Sequence, residues 1–252
     1  MPTPVVQNTV RHLPAELELP AEGSLHLWSV ATLKETDPTA ELKTLLSSEE
    51  QARAQRYVTP MARRQFVESR GLLRLLLGAY LRQDPSRLEF IYSDRGKPFL
   101  TQERGGANLQ FNVSHSRGRL IYAVSVGFEV GIDLEGVNPL LNCLDIARRI
   151  CTPDEWFAFS RLSPVDRHQA FYKIWTRKEA LVKLRGDRLY EKLTVFEVPV
   201  HPTSDGCWVQ AEGRPVWLQD LELFESFATA IAFPVIPAQI VHHEWHYVED
   251  RA

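Results

Sequence analysis

An α+β fold is predicted by the order in which two hydrophobic periodicities occur along the chain. Segments with helical spacing and segments with strand alternation come in separate runs, not in the strict alternation of parallel βαβ units. At 252 residues, with 44% hydrophobic and 24% charged residues, the chain has an ordinary globular composition. It carries enough apolar material for two domains.

The elements follow in order. Residues 24–30 read as a strand (Leu25, Leu27, Trp28, Val30). Pro38 opens a helical region reaching Leu46, and Ser47 or Ser48 caps the next helix, with Glu50 and Gln51 placed for a capping box. After Pro60 the residues Phe66, Val67, Leu73, Leu76, Leu77 and Tyr80 recur at helical spacing among several arginines, until Asp84-Pro85 stops the helix. Short strands are expected at 88–92 and 109–113, with a polar turn at 93–98 between them. A longer strand at 120–126 turns at Gly127-Phe128-Glu129 into the next, so 120–135 reads as a hairpin. The domain junction is placed there, dividing the chain into 1–127 and 128–252. Thr152-Pro153-Asp154-Glu155 starts another capped helix, and Ser163-Pro164 starts one that runs to about Arg185 and ends at Gly186. Strands are expected at 193–198, 207–211, 215–224, 227–233 and 240–247. No internal repeat is visible in the sequence.

Several functional classes are disfavoured. A formal net charge of −3 gives no field for nucleic acid. The longest apolar stretch, Phe227 to Ile236, is broken by Pro234 and too short to span a bilayer. Cys143, Cys151 and Cys207 follow no zinc or CxxC spacing, which suits reduced thiols in cytoplasm, and no signal peptide is expected at the N-terminus. The tail His242-His243-Glu244-Trp245-His246 suggests zinc, yet HExxH would need histidine where Tyr247 stands.

Three carboxylates carry the chemistry. On a strand, Asp133 and Glu135 share one face while Ile132 and Leu134 take the other. On a helix, Trp175, Glu179 and Lys183 are spaced four apart on one face. Acids gathered this way would repel a phosphorylated substrate unless a divalent cation lay between them, and Mg²⁺ suits such oxygen ligands. Phe111-Asn112-Val113-Ser114-His115-Ser116 offers hydroxyl, amide and imidazole groups suited to phosphate, and Arg95-Gly96-Lys97-Pro98 a cationic turn.

Taken in sequence, Gly-Lys-Pro, Phe-Asn-x-Ser-His, Gly-Ile-Asp-x-Glu and Trp-x-x-Lys-Glu-Ala-x-x-Lys resemble the 4′-phosphopantetheinyl transferases of the larger, surfactin-synthetase (Sfp) type. The resemblance spans residues 95–186. It implies a monomer of two similar α+β halves with coenzyme A and Mg²⁺ between them. The activity implied is transfer of the phosphopantetheine arm to a serine of an apo carrier protein, releasing 3′,5′-ADP. Carried over by position, Asp133, Glu135 and Glu179 would bind the metal. Lys97, Ser114, His115 and Lys183 would contact phosphates, with Arg53 and Arg64 as candidates for the 3′-phosphate. Glu179 and Lys183 would be catalytic, and Arg177 and Lys178 would be candidate carrier contacts. One departure is Arg188, where the family often has glycine. The rival readings are another Mg²⁺-dependent nucleotide transferase or hydrolase, and a carrier-binding protein without activity.

Overall fold

The first half of the chain runs β1 (Val5–Val10), β2 (Ser24–Ala31), α1 (Thr39–Thr44), α2 (Ser48–Gln55), α3 (Pro60–Leu81), β3 (Phe90–Tyr92), β4 (Pro98–Leu100), β5 (Leu109–Ser116) and β6 (Arg119–Val126). The second runs β7 (Gly131–Gly136), α4 (Leu144–Ile150), α5 (Pro153–Phe159), α6 (Pro164–Arg185), β8 (Cys207–Ala211), β9 (Arg214–Asp220), β10 (Phe227–Phe233) and β11 (Gln239–Trp245). The computed structural model describes residues 5–10, 13–31, 39–93, 97–101, 108–186, 193–201 and 206–247.

Two sheets stack between the two long helices. The first has the order β1-β11-β2-β6-β5 and the second β7-β10-β9-β8, while β3 and β4 form a separate ribbon. Strand alternation splits the core into layers. On one face of the first sheet Trp28, Val30, Tyr122 and Val124 pack with Leu73, Leu76 and Leu77 of α3. On its other face Leu25, Leu27, Ile121 and Ala123 meet Ile132, Leu134, Ile231 and Phe233 of the second sheet. The outer face of the second sheet, Ala228, Ala230 and Ala232, packs with Leu181, Val182 and Leu184 of α6. These small residues let the helix lie close to the strands.

The halves repeat one plan although the sequence shows no repeat. Each has a strand, a short capped helix, a 22-residue helix and a hairpin, and the sheets correspond as β2-β6-β5 and β7-β10-β9. Each short helix starts in a capping box, Ser47 with Glu50 and Thr152 with Glu155. Each long helix has proline in its first turn behind a capping hydroxyl, Thr59 or Ser163. Both capping-box glutamates are only 2% exposed, so each needs a cation. Glu50 pairs with Arg74 at 2.7 Å and Glu155 with Lys178 at 2.7 Å. Arg74 and Lys178 lie the same number of residues after Pro60 and Pro164. The equivalence is one of chemistry, Ser for Thr and Arg for Lys, which residue matching does not detect.

Four sequence expectations need correction. Residues 120–135 are not a hairpin: β6 already has β2 and β5 on its two edges, so β7 pairs instead with β10 in the second sheet. Residues 193–198 are not a strand: Leu193, Phe196 and Val198 are buried but Val195 is exposed, so burial does not alternate along the segment. Their backbone is satisfied by side chains, since Lys178 Nζ donates to the Leu193 and Phe196 carbonyls and Val198 N donates to Glu155 Oε1. The C-terminal strand β11, placed by position in the second half, lies in the first sheet beside β2. Finally, β1, β4 and α4 were not anticipated, and β1 is exposed along nearly its whole length, leaving no burial pattern to read.

Candidate active site

The strand β7 aims its residues at α6. Ile132 and Leu134 enter the layer between the sheets, so Gly131, Asp133 and Glu135 face the helix. Gly131 permits the close approach: a Cβ there would overlap the Ala180 carbonyl oxygen and the Leu184 backbone nitrogen. Gly131→Ala is expected to cost about 1–3 kcal/mol by overpacking, read as a lower melting temperature. An unchanged melt would contradict this close packing.

Asp133, Glu135 and Glu179 come near enough for their charges to act on one another. Asp133 is buried, and its Oδ1 accepts from Lys183 Nζ at 2.7 Å and from Ser114 Oγ at 2.9 Å. Glu135 Oε2 accepts from Ser116 Oγ at 2.8 Å, and the Trp175 side chain nearby favours its charged form. Burial pushes the Glu135 carboxyl up, with Asp133 adding to the rise. Burial pushes Glu179 further, to about 8, and the nearby charges of Asp133 and Glu135 add to that while Lys183 opposes it. Asp133 Oδ2 and Glu179 Oε1 are buried without a hydrogen-bond partner.

The strand β5 supplies what a neighbouring strand would. The outer edge of β7 is closed by side chains: Asn112 Oδ1 accepts from Ile132 N, Ser114 Oγ from Leu134 N and Ser116 Oγ from Gly136 N. Ser116 and Asn112 were read only as parts of a motif. The signal that could have found them is their period of two, Asn112-x-Ser114-x-Ser116, which puts all three on one strand face.

The other expected residues are spread out. Lys97 Nζ donates to the Leu184 carbonyl at 3.0 Å in the last turn of α6, and burial holds its ammonium below the usual range. His115 is exposed on the opposite face of β5 from Ser114. The surrounding protein, then the Lys183 ammonium, hold its imidazole below the ordinary value against the pull of Asp133. Arg53 lies over the Phe66 and Tyr92 rings in a first-half cluster with Arg70 and the buried Glu50. Arg64 is partly buried near the start of α3. Arg188 lies outside the described residues, as do Arg95 and Gly96 of the cationic turn.

Arg177 and Lys178 are not surface contacts, for both are 0% exposed. Arg177 makes a two-pronged bond to Asp220 at 2.8 and 2.7 Å and caps the Pro199 and His201 carbonyls. Among the histidines of the tail, His242 bonds Ser29 and His243 stacks on Trp28.

Residues 129–232 match the family described as the 4′-phosphopantetheinyl transferase superfamily, and residues 35–126 match the N-terminal region described as 4′-phosphopantetheinyl transferase, N-terminal. Over 244 residues the chain is 33% identical to the 4′-phosphopantetheinyl transferase HetI of Nostoc sp. strain PCC 7120, covering 96% of this chain and 100% of that protein. The chain belongs to the 4′-phosphopantetheinyl transferase superfamily. The 4′-phosphopantetheinyl transferase AcpT of Salmonella typhimurium is 36% identical over 107 residues, 42% of this chain and 54% of AcpT. A 4′-phosphopantetheinyl transferase of Bacillus subtilis is 30% identical over 149 residues, 59% of this chain and 64% of that protein. As a phosphopantetheinyl transferase the protein is an enzyme that moves phosphopantetheine from coenzyme A to carrier proteins. The two family matches meet between β6 and β7, in keeping with two α+β halves in succession.

The acids of β7 and α6 in this transferase suit a hard divalent cation by their donors. Among the described residues no three His, Cys, Asp or Glu side chains are placed together as a metal-binding group, and Lys183 holds Asp133 Oδ1. The donors are all carboxylate oxygens, however, and two of them, Asp133 Oδ2 and Glu179 Oε1, are buried and unpartnered. A buried oxygen without a donor costs free energy that a cation beside it would offset. Among the described residues no helix is long and apolar enough to cross a membrane.

Proposed function

We propose that the enzyme is a Mg²⁺-dependent transferase of the larger, surfactin-synthetase type, using Asp133, Glu135 and Glu179 to hold the cation and releasing 3′,5′-ADP. The observation that carries this reading is the pair of buried oxygens without a partner, on Asp133 of β7 and Glu179 of α6, beside a third acid, Glu135. Mg²⁺ bound there would supply Lewis-acid stabilisation of the diphosphate. With a cation beside it Glu179 would be ionised and would accept the proton of the carrier serine, directly or through a water, since that hydroxyl is a poor nucleophile at neutral pH. Lys183 leaves Asp133 for the phosphate oxygens and stabilises charge on the leaving group. Lys97 and His115 contact the diphosphate of coenzyme A, and Arg53 and Arg64 the 3′-phosphate. Ser114 takes a different part from the phosphate contact expected of it. Its hydroxyl donates once and accepts twice within the protein, which uses its full capacity.

Both halves lie in one chain, which supports a monomer acting without a partner copy, and Cys143, Cys151 and Cys207, which form no disulfide, suit the cytoplasm. Incubation with coenzyme A, Mg²⁺ and an apo carrier, followed by mass spectrometry, tests the reading. The expected result is one phosphopantetheine on the carrier and an equal amount of 3′,5′-ADP, both lost with chelator. Transfer that persists at full rate in chelator would overturn the metal role.

A further inference from the structure

We propose that Ser116 is a positioning residue for Glu135, one rung of a side-chain ladder by which the first half of the chain aims the acids of the second. As the outermost strand of its sheet, β7 has an alternating row of amides pointing away from β10. Residues 112, 114 and 116 of β5 recur at the same spacing, roughly 6.8 Å for every two residues, and place one acceptor on each of those amides at 3.2, 3.1 and 3.1 Å.

The two serines do more than the asparagine. Each hydroxyl accepts the amide following an acid and donates its own proton to that acid's carboxylate, Ser114 to Asp133 at 2.9 Å and Ser116 to Glu135 at 2.8 Å. A carboxylate bonded this way loses rotamer freedom before any ligand arrives. Asp133 has a second tether in Lys183, whereas Glu135 depends on the bond from Ser116. Gly136 leaves room for the arrangement, because the Arg117 side chain occupies the space where a Cβ would stand. The direction of Glu135 is thereby tied to the docking of the two sheets.

This inference rests on the reading that Glu135 helps hold a divalent cation. Calorimetric titration of Mg²⁺ into the full-length protein without coenzyme A, using wild type, Ser116→Ala, Ser116→Thr and Glu135→Gln, tests it. Ser116→Ala is expected to bind about tenfold more weakly, as loss of a group orienting a metal ligand does. Ser116→Thr, which keeps the hydroxyl, is expected to restore most of that affinity. In turnover the KM for Mg²⁺ of Ser116→Ala rises by more than kcat falls. Wild-type affinity in Ser116→Ala while Glu135→Gln loses binding would overturn the positioning role and leave the metal reading standing. So would equal weakening in the alanine and threonine variants. No heat of binding in the wild type itself would sink both.

Discussion

Glu179→Gln is expected to lower transfer by about 10²–10⁴-fold while making the metal-free protein more resistant to heat. The first effect follows from loss of a proton acceptor and a charged oxygen donor in a side chain of nearly unchanged shape. The second follows from the position of the acid. Glu179 is buried beside two other carboxylates, so its proton is held up to about 8 instead of the ordinary 4.5. A raised carboxyl favours the neutral form in the folded state, and that contribution is complete below 4.5 and lost as pH rises through about 8. Glutamine imitates the neutral form at every pH. The stability difference between variant and wild type therefore opens above pH 4.5 and is full by about pH 8, each kcal/mol appearing as about 2–4 °C in melting temperature. Melts in chelator across pH 4–9, with carrier modification followed by mass spectrometry, measure both. Transfer within threefold of wild type would defeat the catalytic role. A variant no more stable than wild type at pH 8.5 would defeat the electrostatic one.

Lys178→Ala is expected to cost about 3–5 kcal/mol, because it leaves the buried Glu155 charge without its cation. The ammonium is 0% exposed and has three partners: Glu155 Oε2, the Leu193 carbonyl and the Phe196 carbonyl, each at 2.7 Å. Removing it frees two buried carbonyls as well as the acid, so the segment after α6 should loosen first. Thermal melts and amide exchange at Leu193 to Val198 read this directly. The paired change Glu155→Gln with Lys178→Met is expected to recover part of the loss, since neither residue then carries a charge. If Lys178→Ala melted like wild type but bound apo carrier poorly, the surface role read from sequence would be right and the buried one wrong.

Lys178 also shows how far residues alone could be read. The spacing of Trp175, Glu179 and Lys183 places one helix face correctly, and the alternation of Asp133 with Ile132 places one strand face, because both follow from backbone periodicity. Which face Arg177 and Lys178 occupy depends on Asp220 and Glu155, which lie far along the chain, and nothing local announces them. The hairpin expected at 120–135 failed for a related reason. Turn chemistry at Gly127 is legible, whereas the prior occupation of both edges of β6 is a property of the whole sheet. The apolar residues at 193–198 pointed to burial, which holds for Leu193, Phe196 and Val198 but not for Val195, and they misled on hydrogen bonding, since side chains there take the part of a ladder. The twofold plan of the halves was hidden because Ser47 and Thr152, or Arg74 and Lys178, share chemistry without sharing identity.

The most direct measurement is the anomalous scattering of Mn²⁺ in crystals grown with coenzyme A. The account predicts one strong peak in contact with carboxylate oxygens of Asp133, Glu135 and Glu179 and with the diphosphate. A diphosphate bound elsewhere, or a manganese peak that touches none of the three acids, would contradict it.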